Sequence, residues 1–293
     1  MMRLACVLLG LMIAASPARA TVSVIDDAGR RVVLPASAQR IVSLAPHVTE
    51  LLYAAGAGGK LVGAVEYSDY PAPAKALPRV GSSSAVDIEA VAALMPDLVV
   101  VWQSSTRAAQ YGQFDRLGIP VFVSEPRSLD DIARTLELLG RLAGTSKAAD
   151  AAALDFRTRR DRLAARYASR PEVGVFYQIW DRPPMTVNGQ HLISAVMALC
   201  GGRNVFADLA ILAPTVTDEA VLAAAPEVIV ASGMTGARPE WLDAWRRWRS
   251  LPAVARDNLF FIAPEQLQRN TPRVLDGAAK LCEQLEQARA KRR

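Results

Sequence analysis

Residues 146–168 form an unbroken run of 23 without Gly or Pro, rich in Ala, Arg, Leu and Asp. No other feature restricts the fold as strongly. A helix of that length extends about 35 Å at 1.5 Å per residue, roughly the width of a small domain, and Pro171 ends it. On both sides the pattern changes to short apolar runs alternating with helical segments. Alternation of that kind argues for mostly parallel sheets. The chain therefore reads as α/β, two Rossmann-like lobes joined by one long α-helix that would fix their spacing and limit hinge motion. The expected division is 21–145, 146–170 and 171–293.

The local signals fill in each lobe. Strands at 23–26 and 31–34 flank Asp27-Ala28-Gly29, a hairpin turn. Residues 40–44 and 61–65 read as strands, with a helix between them that opens at Pro46 and runs to Gly56. Asp87 caps a helix that stops before Pro96, and 97–102 is an apolar run suited to a buried parallel strand. A strand at 121–124 and a helix from Ser128 to about 143 complete the first lobe. Beyond the long helix the expectations are strands at 173–178, 228–231 and 259–262 and helices at 191–199 and 272–288.

The two lobes share a repeat. Asp87-Ile-Glu-Ala-Val-Ala-Ala-Leu-Met-Pro-Asp-Leu-Val-Val-Val aligns with Thr217-Asp-Glu-Ala-Val-Leu-Ala-Ala-Ala-Pro-Glu-Val-Ile-Val-Ala, displaced by 130 positions. Glu89 and Glu219 occupy the same place, in the first turn of the repeated helix. There a carboxylate favours the positive helix end, worth typically about 0.3–1 kcal/mol, which alone could account for both. The sharper reading is a pseudo-twofold pair of anionic knobs able to dock on arginines of a symmetric partner.

The amino terminus has a different character. Arg3, an apolar run at 4–15 and the small-x-small triplet Ala18-Arg19-Ala20 make the layout of a secretion signal over 1–20, too short for a membrane-spanning helix. The expected mature protein is exported and starts at Thr21. It then holds two cysteines, Cys200 and Cys282, and in an exported chain an even count suggests a disulfide; two buried thiols are the other reading. The whole chain carries a net charge of only +5, too weak a balance to argue for nucleic acid.

Several stretches then converge on one family. Tyr67-Ser68-Asp69-Tyr70-Pro71, the repeated unit ending at Trp102, Pro183-Pro184-Met185-Thr186, Leu199-Cys200-Gly201-Gly202 with Asn204-Val205-Phe206, and Arg269-Asn270-Thr271-Pro272-Arg273 resemble the cobalamin-binding periplasmic proteins of ABC importers, in the same order over about 40–285. The resemblance implies a ligand in the interlobe cleft. It implies Tyr67 and Trp102 as aromatic walls, and Glu265 and Arg269 as polar groups orienting the ligand. It further implies Glu89 and Glu219 as docking residues for a membrane permease dimer, and Cys200 paired with Cys282. The chain departs from the family in lacking tryptophans at 82–84 and near Ala213-Pro214, and in having Glu265 where the family has aspartate. Trp180 is the candidate replacement wall. A corrinoid, a large flat ring with apolar faces and amide edges, suits aromatic walls and a few polar groups.

Other signals are weaker. His47 and His191 are the only histidines, too few for a zinc or manganese capture site; His191 reads as a helix cap that could also reach a metal centre in a bound ligand. Gly56 to Lys60 lacks the spacing of a phosphate loop. Trp241, Trp245 and Trp248 recur at helical spacing as a packed face. No nucleophile–base or metalloprotease motif is present. The expected protein is a monomeric periplasmic carrier and not an enzyme, with cobalamin as cargo, no resident cofactor and no metal of its own. The alternative is a haem or ferric-siderophore carrier, with Tyr67 or His191 on the iron.

Overall fold

The computed structural model describes residues 21–105, 108–233 and 236–292; the secretion signal expected at 1–20 lies outside them. A hairpin of β1 (Val22–Ile25) and β2 (Arg31–Leu34) leads into the first lobe. That lobe contains β3 (Ile41–Ser43), α1 (Pro46–Ala54), β4 (Leu61–Ala64), α2 (Ile88–Ala93), β5 (Leu98–Trp102), α3 (Ala108–Arg116), β6 (Val121–Ser124) and α4 (Leu129–Ala143). Helix α5 (Ser146–Tyr167) crosses to the second lobe. There β7 (Val173–Gln178), the short β8 (Trp180–Asp181) and β9 (Pro184–Met185), α6 (Leu192–Leu199), β10 (Gly202–Asn204), α7 (Asp218–Ala224) and β11 (Val228–Ala231) follow in turn. The chain closes with α8 (Pro252–Ala255), β12 (Leu259–Phe261), α9 (Pro264–Leu267) and α10 (Val274–Ala290).

Each lobe holds a four-stranded parallel sheet, in the order β4-β3-β5-β6 and β10-β7-β11-β12. Counted within its own lobe, each is ordered second, first, third, fourth. The sequence repeat lands on the third strand and its preceding helix in both, and the caps repeat with it. Asp87 accepts the amide of Ala90 at 2.9 Å; Thr217 accepts that of Ala220 at 3.2 Å. The residue before each proline, Met95 and Ala225, has a left-handed backbone with φ 46° and 44°. The carboxylate after each proline then ties the start of the neighbouring strand: Asp97 takes the Gln39 and Arg40 amides, and Glu227 takes that of Gly174.

Helix α5 is 22 residues long. It packs on α4 in the first lobe and on α10 and α6 in the second. The fit to α4 is close, since a Cβ on Gly140 would stand 2.2 Å from that of Ala149. Phe156 lies in one continuous apolar cluster that contains Leu51 and Leu136 from the first lobe and Val175, Val196 and Leu281 from the second. The lobes thus share a core along the helix, so separating them would expose apolar surface at about 25 cal/mol per Å². Cys200, at the end of α6, is bonded to Cys282 in α10. The segment with Trp241 and Trp245 is a 3-10 helix, Glu240–Arg247, packed with Trp248 against the second lobe's own cluster. Among the described residues no helix is long and apolar enough to cross a membrane.

Candidate ligand cleft between the lobes

Loops at the carboxyl ends of parallel strands are where open α/β sheets receive ligands. The two sheets direct those ends at one cleft of about 600 Å³. The segment after β4 supplies Tyr67, Asp69, Tyr70 and Lys75. From the second lobe, Gly233 and Gly236 come from the loop after β11, and Glu265, Gln268, Arg269 and Arg273 from the segment after β12.

Tyr67 is 77% exposed and has φ 61°. A bulky residue in the left-handed region costs on the order of 1 kcal/mol. The chain thus keeps an aromatic ring at the mouth of the cleft, in solvent, on a strained backbone. Tyr70 is also exposed, and the Arg273 guanidinium lies 3.9 Å from its ring centroid.

Beneath the aromatic rim lies an ion-pair network that joins the lobes. Glu50, on α1, is buried in the first lobe. Arg269 Nη1 donates to Glu50 Oε1 at 2.7 Å; Arg273 donates through Nη2 to Oε1 at 2.7 Å and through Nε to Oε2 at 2.9 Å. Arg269 also reaches Asp69 Oδ1 at 3.2 Å and the Tyr67 carbonyl at 3.5 Å. Asn270 donates to the Pro126 carbonyl at 2.7 Å, a further tie between lobes. One turn before Glu50, His47 is buried. Burial first, and the Arg269 charge second, push its imidazole down to about 4, so it is neutral at neutral pH. Its ring meets Trp102 edge-to-face at 5.0 Å.

Of the residues expected at the site, the cleft brings together Tyr67, Glu265 and Arg269. Trp102 ends β5 half-buried against His47 and the shared core, behind the lining. Trp180, 38% exposed on β8, donates its indole N–H to the Arg182 carbonyl at 3.2 Å and is likewise not part of the lining. His191 caps α6, its Nδ1 accepting the Ile193 amide at 3.1 Å. Glu89 and Glu219 are both exposed in the first turns of α2 and α7. Hydrogen bonds from its own amide and from Thr217 hold the Glu219 carboxyl below its usual range. No group of three or more His, Cys, Asp or Glu among the described residues could hold a metal ion.

Sequence reasoning passed over Glu50, Lys75 and Gln268, and used Asp69, Tyr70 and Arg273 only as parts of motifs. For Glu50 a signal existed: it interrupts the run Val48 to Leu52, which is buried throughout, and a carboxylate on such a face needs a partner.

A two-lobed α/β protein with parallel sheets, a long connecting helix and a ligand-sized cleft between the lobes has the architecture of a solute-binding protein. A family model described as periplasmic binding protein matches residues 41–266, and the chain belongs to that family. Within it, the chain is 39% identical to the vitamin B12-binding protein of Vibrio cholerae serotype O1 over 249 residues, covering 85% of this chain and 89% of that one. The vitamin B12-binding protein of Yersinia pestis is 38% identical over 253 residues, covering 86% and 88%. The crystal structure of the periplasmic vitamin B12 binding protein BtuF of Vibrio cholerae superposes with a TM-score of 0.78 at 38% identity, over 86% of this chain and 98% of that one. A periplasmic heme binding protein from Pseudomonas aeruginosa gives 0.70 at 27% identity, over 84% and 91%.

Proposed function

We propose that this protein captures cobalamin or a related corrinoid in the interlobe cleft and delivers it to the permease dimer of an ABC importer. The observation that carries this reading is the chemistry of the cleft. Tyr67 and Tyr70 offer ring surface at the rim, while Lys75, Arg269 and Arg273 are balanced by Asp69, Glu265 and the buried Glu50. A corrinoid brings apolar ring faces and neutral amide edges, which such a cleft can meet by stacking, by hydrogen bonds that Arg269 donates to amide oxygens and by hydrogen bonds that Glu265 accepts from amide N–H groups. The vitamin B12-binding relatives support the same cargo.

A haem or ferric-siderophore carrier is the second reading, favoured by the exposed Tyr67 phenol as an iron ligand. His191 is a poorer candidate, since one of its ring nitrogens is committed to the α6 cap. The two carboxylates of a haem would meet arginines already paired with Glu50 and Asp69.

Residues 1–20 act as the export signal, and the mature monomer works in the periplasm as two lobes, 21–145 and 171–293, about the 146–170 helix. It carries no resident cofactor and catalyses no reaction. Glu89 and Glu219 dock the loaded protein on the permease. Trp102 acts from behind the lining by supporting the cleft floor, and Trp180, outside the lining, would contact the cargo only after leaving its bond to the Arg182 carbonyl. Equilibrium binding of cyanocobalamin to the mature chain and to Tyr67→Ala tests the site. The expected result is tight binding by the first and affinity weaker by about tenfold or more, ~1.4 kcal/mol, in the second. Equal affinities would remove Tyr67 from the site, and no binding by the folded mature chain would remove the cargo.

A further inference from the structure

Both carboxylate oxygens of Glu50 are taken by guanidinium groups from the opposite lobe. The side chain is 2% exposed, and its partners Arg269 and Arg273 lie 219 and 223 residues away along the chain. A carboxylate withdrawn this far from water is tolerable only when it is paired. Here the pairing is available only while the two lobes keep one spacing. Arg273 fits Glu50 through two parallel hydrogen bonds, a geometry that fixes direction as well as distance. The shared core along α5 restrains the lobes at the back of the molecule; the Glu50 pairs restrain them at the floor of the cleft.

The same contacts orient Arg269. Its Nη1 is held by Glu50 at 2.7 Å and by Asp69 at 3.2 Å, whereas among the described residues Nη2 has only the 3.5 Å contact with the Tyr67 carbonyl. One end of the guanidinium is anchored and the other is left for whatever enters the cleft.

We propose that Glu50 is an interlobe positioning residue: it sets the spacing of the two lobes and presents Arg269 to the cargo. The first part is independent of which ligand is carried; the second rests on the cobalamin reading.

The test uses the full mature chain with spin labels at Ala93→Cys and Ala223→Cys, exposed and equivalent positions on α2 and α7. Pulsed electron resonance then reads the interlobe distance without ligand. With Glu50 present a single narrow distance is expected. Glu50→Gln, which keeps the shape and removes the charge, should broaden the distribution and shift its mean. A distribution identical to that of the parent overturns the spacing role. If Glu50→Gln yields no folded protein, Arg273→Gln is read in the same way, with the same two outcomes. Titration with cyanocobalamin supplies the second arm. Affinity should fall by about tenfold or more in Glu50→Gln and recover in part in Glu50→Asp, which restores the charge. Unchanged affinity in Glu50→Gln overturns the presentation of Arg269. Failure of the parent chain to bind cobalamin would sink the cargo reading and leave the distance measurement to decide the spacing role.

Discussion

The two lobes are built on the same plan and differ where they face each other. Strand order, the α2 and α7 caps, the left-handed residue before the proline and the carboxylate after it all recur. The edges of the cleft do not. The first lobe contributes Tyr67 and Tyr70 on a strained loop, and the second contributes Arg269, Arg273 and Glu265. Among the described residues the disulfide and the short β8–β9 pair occur on the second side only. Repetition therefore carries the scaffold and the two exposed glutamates, Glu89 and Glu219, while the edges of the cleft are built from segments that do not repeat.

The two glutamates offer the largest effect. Reversing both with Glu89→Lys and Glu219→Lys should abolish cobalamin uptake by cells and leave the affinity of the purified protein unchanged. Either single reversal should have an intermediate effect if the pair acts symmetrically. Lost affinity in the purified double variant would mean that the repeated scaffold, too, takes part in recognition.

Removing the one-sided crosslink comes next. The Cys200–Cys282 bond closes a loop with a sequence separation of 82. Cys200→Ala/Cys282→Ala should cost about 4 kcal/mol on the chain-entropy model, read from urea unfolding. A loss confined to probes in the second lobe would show the lobes uncoupling; a single shared transition would show that the core along α5 couples them.

His47 gives a smaller, pH-dependent difference on the first-lobe side. Its folded value of about 4 lies below the ordinary 6.5. On acidification the unfolded chain therefore takes up the proton first. Its contribution is complete above about pH 6.5, falls as pH drops, and levels off below about 4. The total is on the order of 3 kcal/mol. Stability measured across that range should flatten in His47→Gln, and an unaltered slope would place the titration elsewhere.

The caps should give the smallest and most nearly equal effects. Asp87→Ala and Thr217→Ala each remove one side-chain bond to a helix amide and should each cost about 1 kcal/mol in thermal unfolding. Clearly unequal costs would mark one lobe as more tolerant of local opening.

How much of this was legible in the chain follows the same division. The scaffold was, because helix α5 lacks breakers, the repeat carries its own caps and the parallel strands are short apolar runs. Boundaries moved by a residue or two where end residues leave the ladder, as with β3, which begins at Ile41. Of the cleft, Tyr67, Glu265 and Arg269 were named through a resemblance and not through their spacing. Their proximity depends on loops whose path no periodicity encodes. Glu50 was hidden for a further reason: its partners lie more than two hundred residues away, and only the meeting of the lobes turns a costly buried charge into a satisfied one.

If the non-repeated edges form a cleft for a neutral, amide-edged macrocycle, the protein should distinguish cobalamin from haem. Calorimetric titration of residues 21–293 with cyanocobalamin, with haemin as the control, measures that difference. Saturable one-to-one binding of cobalamin, tighter than that of haemin, is the expected result. Tighter binding of haemin, or no uptake of cobalamin by a folded sample, would contradict it.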